Sequence, residues 1–135
     1  MTYDEFLEQE RNRPSRKKPA DHEHQIQCAC IDWFRLAYPK QQSLLFAVPN
    51  GGRRDKVTGG KLKAEGALAG VADLILLIPR NGYASLCIEM KTPNGIQRDS
   101  QKLWQKEVEA VGNKYVICRS LEDFIHEIKE YLNNM

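Results

Sequence analysis

Three charged residues lie inside apolar segments near the middle of the chain. Asp73 falls within the apolar run of residues 71–78. Glu89 and Lys91 interrupt a second apolar run, which starts at Leu86. A charged side chain in a core strand is costly unless a partner compensates its charge. A divalent metal ion bound to a phosphate is such a partner, so these residues point to hydrolysis of a phosphodiester.

The spacing of these residues suggests a role for each. Residues two apart on a strand share a face, so Glu89 and Lys91 point the same way. Glu89, Asp73 and Glu23 are the hard oxygen ligands that Mg²⁺ or Mn²⁺ prefers, and the Met90 carbonyl is an additional ligand. Glu23 projects from the buried side of a predicted helix, near its positive end. Lys91 can then orient or deprotonate the attacking water, or hold the phosphate.

Each of these residues also has a structural interpretation. Asp73 alone can cap the end of a strand, and Glu89 with Lys91 can form an ion pair on a solvated strand. Glu23 is compatible with an ordinary surface position at a helix start. Gln101 is either an exposed helix residue or faces the site, together with a tryptophan on the same helix face. The combination of charges inside two apolar strands favours the functional interpretation.

The elements that must position these residues alternate between helices and strands. Apolar periodicity and capping signals predict a helix over 21–37, strands over 44–48, 71–78 and 85–91, a helix over 97–111, a strand over 114–118 and a last helix capped by Ser120. The order α-β-β-β-α-β-α predicts an α/β fold with a mixed sheet flanked by helices. Residues 1–20 are predicted as a basic arm and residues 21–135 as the domain.

The turn between the two central strands decides whether the site can form. A two-residue turn at residues 81–82 is favoured by local propensity, but it puts Asp73 one residue out of register with Glu89. A three-residue loop over 80–82 sets the two carboxylates opposite each other. We therefore predict that loop, with a positive φ at Gly82 and Asp73 next to Glu89. A bulge elsewhere in either strand restores the same face by another route.

The basic residues are clustered, although the net charge of the 135-residue chain is only +2. A flexible loop bounded by glycines is predicted from Pro49 to Lys63, just before the strand of Asp73. We expect this loop to grip DNA phosphates, with an ordinary solvated surface as the alternative. The expected contact residues are Asn50, Arg53, Arg54, Lys56, Lys61 and Lys63.

Several classes of protein are excluded by the sequence. It has no apolar stretch of transmembrane length and no signal peptide, so we expect an intracellular protein that is neither secreted nor bound to a membrane. Its four cysteines fit that setting as reduced thiols. A Walker phosphate loop around residues 59–61 would require glycine and serine or threonine where Asp55 and Leu62 stand. We therefore expect no nucleotide cofactor.

In addition, the chain resembles the VRR-NUC (virus-type replication-repair nuclease) branch of the PD-(D/E)XK superfamily, which has a restriction-endonuclease-like core. Seven matches follow in family order from about Glu23 to Leu132. They are Glu23-x-x-Ile26-Gln27 with Trp33, Pro49-Asn50-Gly51-Gly52, Lys63-Ala64-Glu65-Gly66, Gly70-Val71-Ala72-Asp73, Ile88-Glu89-Met90-Lys91-Thr92, Ser100-Gln101 with Trp104, and the strand from Gly112 to Arg119. Together they are far more specific than any one of them.

The resemblance implies roles for five residues. Glu23, Asp73 and Glu89 are implied to be metal ligands, Lys91 to be the catalytic lysine, and Gln101 to be a supporting polar residue. The family usually has proline before this aspartate, where the chain has alanine. Alanine keeps the backbone amide that proline lacks, so this departure does not put the carboxylate in doubt.

The resemblance also implies a substrate. Members that consist of a bare domain are associated with phages and bacterial hosts and act on branched DNA. We therefore expect a Mg²⁺- or Mn²⁺-dependent endonuclease that resolves four-way (Holliday) junctions in DNA repair. A homodimer with two-fold symmetry suits the near two-fold symmetry of such a junction. The alternative is a module of this fold that binds DNA without cutting it and supports phage replication or packaging.

Overall fold

The chain forms a mixed α/β structure, seen in a computed structural model that describes residues 2–11, 19–49 and 56–133. Its elements are α1 (Tyr3–Arg11), α2 (Pro19–Ala37), a 3₁₀ helix (Pro39–Leu44), β1 (Leu45–Ala47), α3 (Lys56–Ala64), β2 (Leu74–Leu76), β3 (Leu86–Met90), α4 (Asp99–Ala110), β4 (Lys114–Cys118) and α5 (Leu121–Asn133). The predicted α/β fold class is confirmed. No helix in the described ranges is long and apolar enough to cross a membrane.

The four strands form one sheet in the order β1-β2-β3-β4. The first three strands are antiparallel neighbours, as the predicted hairpin requires. β4 runs parallel to β3, and α4 supplies the crossover that a parallel pair needs. β3 therefore lies inside the sheet, and each of its five residues is buried.

The main hydrophobic core covers one face of the sheet. It joins alternate residues of β2 and β3 to apolar residues of α1, α2 and α5, among them Phe6, Trp33, Phe34, Leu74, Leu76, Leu86, Ile88, Met90, Phe124 and Ile128. Phe6 ties α1 to this core, so the predicted arm contains a packed helix. On the other face Cys87 and Tyr115 form a smaller cluster with Trp104 of α4. Because strand residues alternate, Glu89 shares this second face with Cys87.

The prediction of a flexible loop up to Lys63 is wrong for its last part, which folds as α3. The end of this helix is closed by a Schellman motif, in which Gly66 has a φ of 107°. The Gly66 amide donates to the Lys63 carbonyl (3.1 Å) and the Ala67 amide donates to the Leu62 carbonyl (2.8 Å). Gly66, which follows Lys-Leu-Lys-Ala-Glu, is a signal for the end of a helix. The glycine pair at residues 59–60 weakens the helical pattern before it.

The β2–β3 turn also differs from the prediction. Arg80 and Tyr83 exchange both backbone hydrogen bonds, at 3.1 and 2.8 Å, around a two-residue turn. Asn81 and Gly82 have φ values of 51° and 83°, as a type I′ turn requires. The three-residue loop is therefore wrong, although the positive φ of Gly82 is confirmed. At this end of the hairpin, the local propensity of Asn81-Gly82 determines the type of turn.

The register at the other end of the hairpin is nevertheless the predicted one. Leu74 pairs with Ile88, and one step further along Asp73 lies opposite Glu89. The two registers differ by one residue, because residues 77–79 face only residues 84–85. This bulge is held by α5.

One tyrosine of α5 stabilises the bulge by hydrogen bonds. The Tyr131 hydroxyl donates to the Ile78 carbonyl at 2.6 Å. The Asn81 side-chain amide donates in turn to the Tyr131 carbonyl at 3.2 Å. Pro79 has no amide to leave unpaired in the interrupted ladder. Because of this bulge, a two-residue turn is compatible with a register in which Asp73 lies opposite Glu89.

Candidate active site

Asp73 is fixed by backbone hydrogen bonds on both of its sides. Its carbonyl accepts the Val48 amide at 2.8 Å, which extends the pairing of β1 and β2 by one residue. Its carboxylate oxygen Oδ2 accepts the Met90 amide at 2.7 Å. The carboxylate is therefore turned across the strand gap toward β3, beside Glu89.

Glu89 is the most deeply buried charged side chain at this end of the sheet. Only 2% of its surface is exposed. Its Oε2 accepts the Gln101 side-chain amide at 2.8 Å and lies 3.6 Å from Lys91 Nζ. Its Oε1 is buried without a hydrogen-bond partner among the described residues. A buried carboxylate oxygen of this kind is unfavourable unless a cation or a donor occupies the space in front of it.

The charge balance around Glu89 is negative. Burial, and next the Asp73 carboxylate, raise the pKa of Glu89 to about 8, and Lys91 offsets only part of this increase. The charge of Glu23 acts in the same direction as burial. The protein alone therefore keeps a proton on Glu89 near neutral pH, and a bound cation would replace that proton.

Glu23 lies within electrostatic range of the same group. Its side chain, near the start of α2, is partly buried, and burial is the main reason why its pKa is raised. The Asp73 carboxylate raises that pKa further, whereas Lys91 and Arg98 lower it. The structure thus brings a third carboxylate toward the Asp73–Glu89 pair.

The three carboxylates do not form a closed cage. In the described part of the chain, no three His, Cys, Asp or Glu side chains lie close enough together to hold an ion by themselves. This arrangement suits Mg²⁺, which keeps several water ligands and is seldom enclosed by protein side chains alone. The donor set, with a Glu89 oxygen that no described residue contacts by a hydrogen bond, therefore fits a hard divalent cation that also contacts water or phosphate.

Gln101 faces the site, which decides between the two interpretations of its position. Its side chain is buried in the first turn of α4. The side-chain oxygen accepts the Arg98 amide at 2.8 Å, and the side-chain nitrogen donates to Glu89. This double contact fixes the amide orientation. Trp104 packs instead against Tyr115, with ring centroids 6.1 Å apart, in the smaller apolar cluster.

The predicted DNA-contact residues are only partly placed. Lys61 and Lys63 are exposed on α3, and Lys56 is the first residue of that helix. Asn50, Arg53 and Arg54 lie outside the described residues. Their phosphate contacts remain predictions.

Two arginines near the site were not among the predicted residues. Arg98 immediately precedes α4 and lowers the pKa of Glu23. Arg119 follows β4 and donates to the loop that leaves Lys91. Arg98 flanks the helix that carries Gln101, whereas Arg119 follows a strand without a site residue. Spacing alone does not reveal which loop a side chain reaches.

Comparison with known proteins identifies the family. The model of the VRR-NUC domain family matches residues 12–122. A solved structure of a VRR_NUC domain protein is similar to this chain with a TM-score of 0.72 and 24% sequence identity, over 82% of this chain and 88% of the other. That likeness concerns the fold, and no curated protein matches the chain. Because the family model matches most of its length, the chain belongs to the VRR-NUC family of nuclease domains.

Proposed function

We propose that this protein is a Mg²⁺- or Mn²⁺-dependent endodeoxyribonuclease that cuts branched DNA. The observation that carries the proposal is Oε1 of Glu89, beside Asp73 and Lys91, which is buried and has no hydrogen-bond partner among the described residues. A fold that only had to be stable would not bury such a group, because a buried carboxylate oxygen without a partner is costly. A site that binds a cation gains its affinity from that same group.

The residues proposed to hold the ion are Asp73, Glu89 and Glu23, together with the Met90 carbonyl. When bound, the ion would supply charge stabilisation at the phosphate and a more acidic water. The Met90 amide already orients Asp73, so the same residue would serve the site with both of its backbone polar groups.

Lys91 is the proposed catalytic residue of the chain. Its ammonium group lies 3.6 Å from Glu89 Oε2, and the residue is largely buried, with 8% of its surface exposed. In this position it would hold the scissile phosphate or move a proton of the attacking water. Gln101 would keep Glu89 in place through its 2.8 Å hydrogen bond.

Selectivity for four-way junctions is proposed to come from a homodimer and from the basic segment before β2. Two copies related by a two-fold axis would present two sites to a nearly two-fold symmetric junction. Exposed Lys61 and Lys63 would contact phosphates near the scissile bond, with Asn50, Arg53, Arg54 and Lys56. We place this activity in the bacterial or phage-infected host cytoplasm.

The test is cleavage of a labelled four-way junction beside a linear duplex of the same sequence. Each DNA is incubated with protein and Mg²⁺, Mn²⁺ or EDTA, and Asp73→Asn is the control for contaminating nucleases. We expect paired nicks in the junction with either metal and none in EDTA. Binding without cleavage in both metals would support the non-cutting DNA-binding module instead, and equal cleavage of the duplex would contradict junction selectivity.

A further inference from the structure

We propose that Arg119 is a positioning residue for Lys91, acting through the turn at residues 92–95. This inference rests on the proposed function for the role of Lys91, but the placement of the lysine can be measured separately. The turn leaves β3 directly after Lys91, and Arg119 follows the neighbouring strand β4.

One nitrogen of the Arg119 guanidinium donates to backbone carbonyls of that turn. Its Nη1 donates to the carbonyls of Thr92 at 2.9 Å and Gly95 at 2.6 Å, with a longer contact of 3.4 Å to Pro93. The Gly95 amide also donates to the Thr92 carbonyl at 3.0 Å, which closes the turn. Hydrogen bonds from a charged donor are stronger than neutral ones, so the turn is held firmly to the end of β4.

The turn held by Arg119 lies close to the side chain of Lys91. A methyl group added at Gly95 would lie 3.5 Å from Lys91 Cδ and 3.1 Å from Thr92 Oγ1. The aliphatic part of the lysine therefore lies close to the Gly95 backbone. The Lys91 amide donates to the Cys118 carbonyl at 3.0 Å, so its backbone is tied to the residue that precedes Arg119. Backbone and side chain of the lysine are thus positioned from the same end of β4.

The backbone of Arg119, from which its side chain extends to the turn, is also fixed. The Arg119 amide donates to Asp123 Oδ2 at 2.9 Å, and the Ser120 hydroxyl accepts the Asp123 amide at 3.0 Å at the start of α5. Within the described residues, Arg119 forms no ion pair with a carboxylate. A partly buried guanidinium that donates to several carbonyl oxygens is well suited to fixing those oxygens in place.

The far end of the same connection is anchored independently. The Gln97 side chain donates to Gln105 Oε1 at 2.8 Å and to the Tyr115 hydroxyl at 3.2 Å. Loss of the Arg119 contacts should therefore release the turn beside Lys91 while α4 and Gln101 stay in place. This separation makes the inference specific to the lysine.

The experiment compares Arg119→Gln with Arg80→Gln, whose arginine also donates to a backbone carbonyl (2.9 Å) but at the opposite end of the hairpin. Single-turnover cleavage, junction binding, Mn²⁺ binding and thermal stability are measured for each. We expect Arg119→Gln to slow cleavage by about 10- to 100-fold with little change in binding, as small displacements of a reacting group do. Arg119→Lys should restore part of the rate, and Arg80→Gln should cut like the wild type.

A second readout needs no cleavage. The modification rate of Lys91 by an amine-reactive reagent is followed by mass spectrometry in the DNA-free protein, with exposed Lys63 as internal reference. Arg119→Gln and Gly95→Ala should each change the rate at Lys91 severalfold and leave Lys63 unchanged. An unchanged Lys91 rate in both variants, or wild-type cleavage by Arg119→Gln, would overturn the inference. Absence of cleavage by the wild type would refute the proposed function, and the modification rates would still decide the placement of Lys91.

Discussion

The two faces of β3 are equally buried, but burial has opposite consequences on them. On one face Leu86, Ile88 and Met90 enter the main core, where removal from water stabilises the fold. On the other face Glu89 is just as inaccessible, yet one of its oxygens has no partner in the described structure and its pKa is raised to about 8. Burial of Glu89 therefore lowers the stability of the fold, and a bound cation would raise it again. A single strand thus supports the fold with one face and carries the candidate site on the other.

The strongest test of this difference is removal of Lys91 from the site face. Lys91→Ala should slow junction cleavage by about 10²–10⁴, the range for loss of an acid–base group, and should leave folding and metal binding nearly unchanged. The rate is measured under single-turnover conditions and folding by circular dichroism. Lys129→Ala, at an exposed lysine of α5, is the matched control. Wild-type cleavage by Lys91→Ala would make the lysine structural.

The corresponding change on the core face is Ile88→Ala. This residue is fully buried, so the truncation should lower the free energy of unfolding by about 2–5 kcal/mol. Urea unfolding measures that loss, and cleavage per folded molecule should stay close to that of the wild type.

Glu89→Gln changes the neighbour of Ile88 on the other face and should show the reverse pattern, with little loss of stability in EDTA and no cleavage. A large loss of stability in Glu89→Gln would contradict the proposed contrast.

The raised pKa of Glu89 predicts how stability changes with pH in EDTA. The folded protein holds this proton more tightly than the unfolded chain, in which the pKa is near the ordinary 4.5. The contribution of Glu89 is therefore most favourable below about 4.5 and is lost as the pH rises toward about 8. The slope approaches about 1.4 kcal/mol per pH unit.

Urea unfolding at several pH values from 5 to 8.5 measures this slope. Glu89→Gln should flatten most of it, and the remainder should include Glu23, whose pKa is raised in the same direction. Saturating Mn²⁺ should also flatten it, because the ion replaces the proton. An identical pH slope in the wild type and Glu89→Gln would mean that Glu89 is not the group responsible.

The smallest effect is expected at the turn end of the hairpin. Gly82 has a φ of 83°, so Gly82→Ala should cost about 1 kcal/mol of folding stability and leave cleavage unchanged. Gly60→Ala is the control, because Gly60 is helical with open space around it and should become slightly more stable. Thermal unfolding of the two variants gives the comparison. Reduced cleavage by Gly82→Ala would show that the turn and the site are coupled across the bulge.

Much of the fold was predictable because it depends on local patterns. The alternation of residues along β3 placed Glu89 and Lys91 on one face, and helical periodicity located α2, α4 and α5. The α3 helix was missed because its glycine pair weakens the periodic signal, although Gly66 marks its end. The two-residue turn was rejected because only a bulge makes it compatible with the site.

Of the candidate site, the sequence by itself determined the residue types and their order along the chain. The tertiary structure decided which residues meet. Tyr131, about fifty residues away along the chain, holds the bulge that sets Asp73 opposite Glu89. Gln101 reaches Glu89 only because the crossover helix packs on that face of the sheet. Likewise, the pKa of Glu89 depends on burial and on charges from other elements, and such through-space effects are absent from any local pattern.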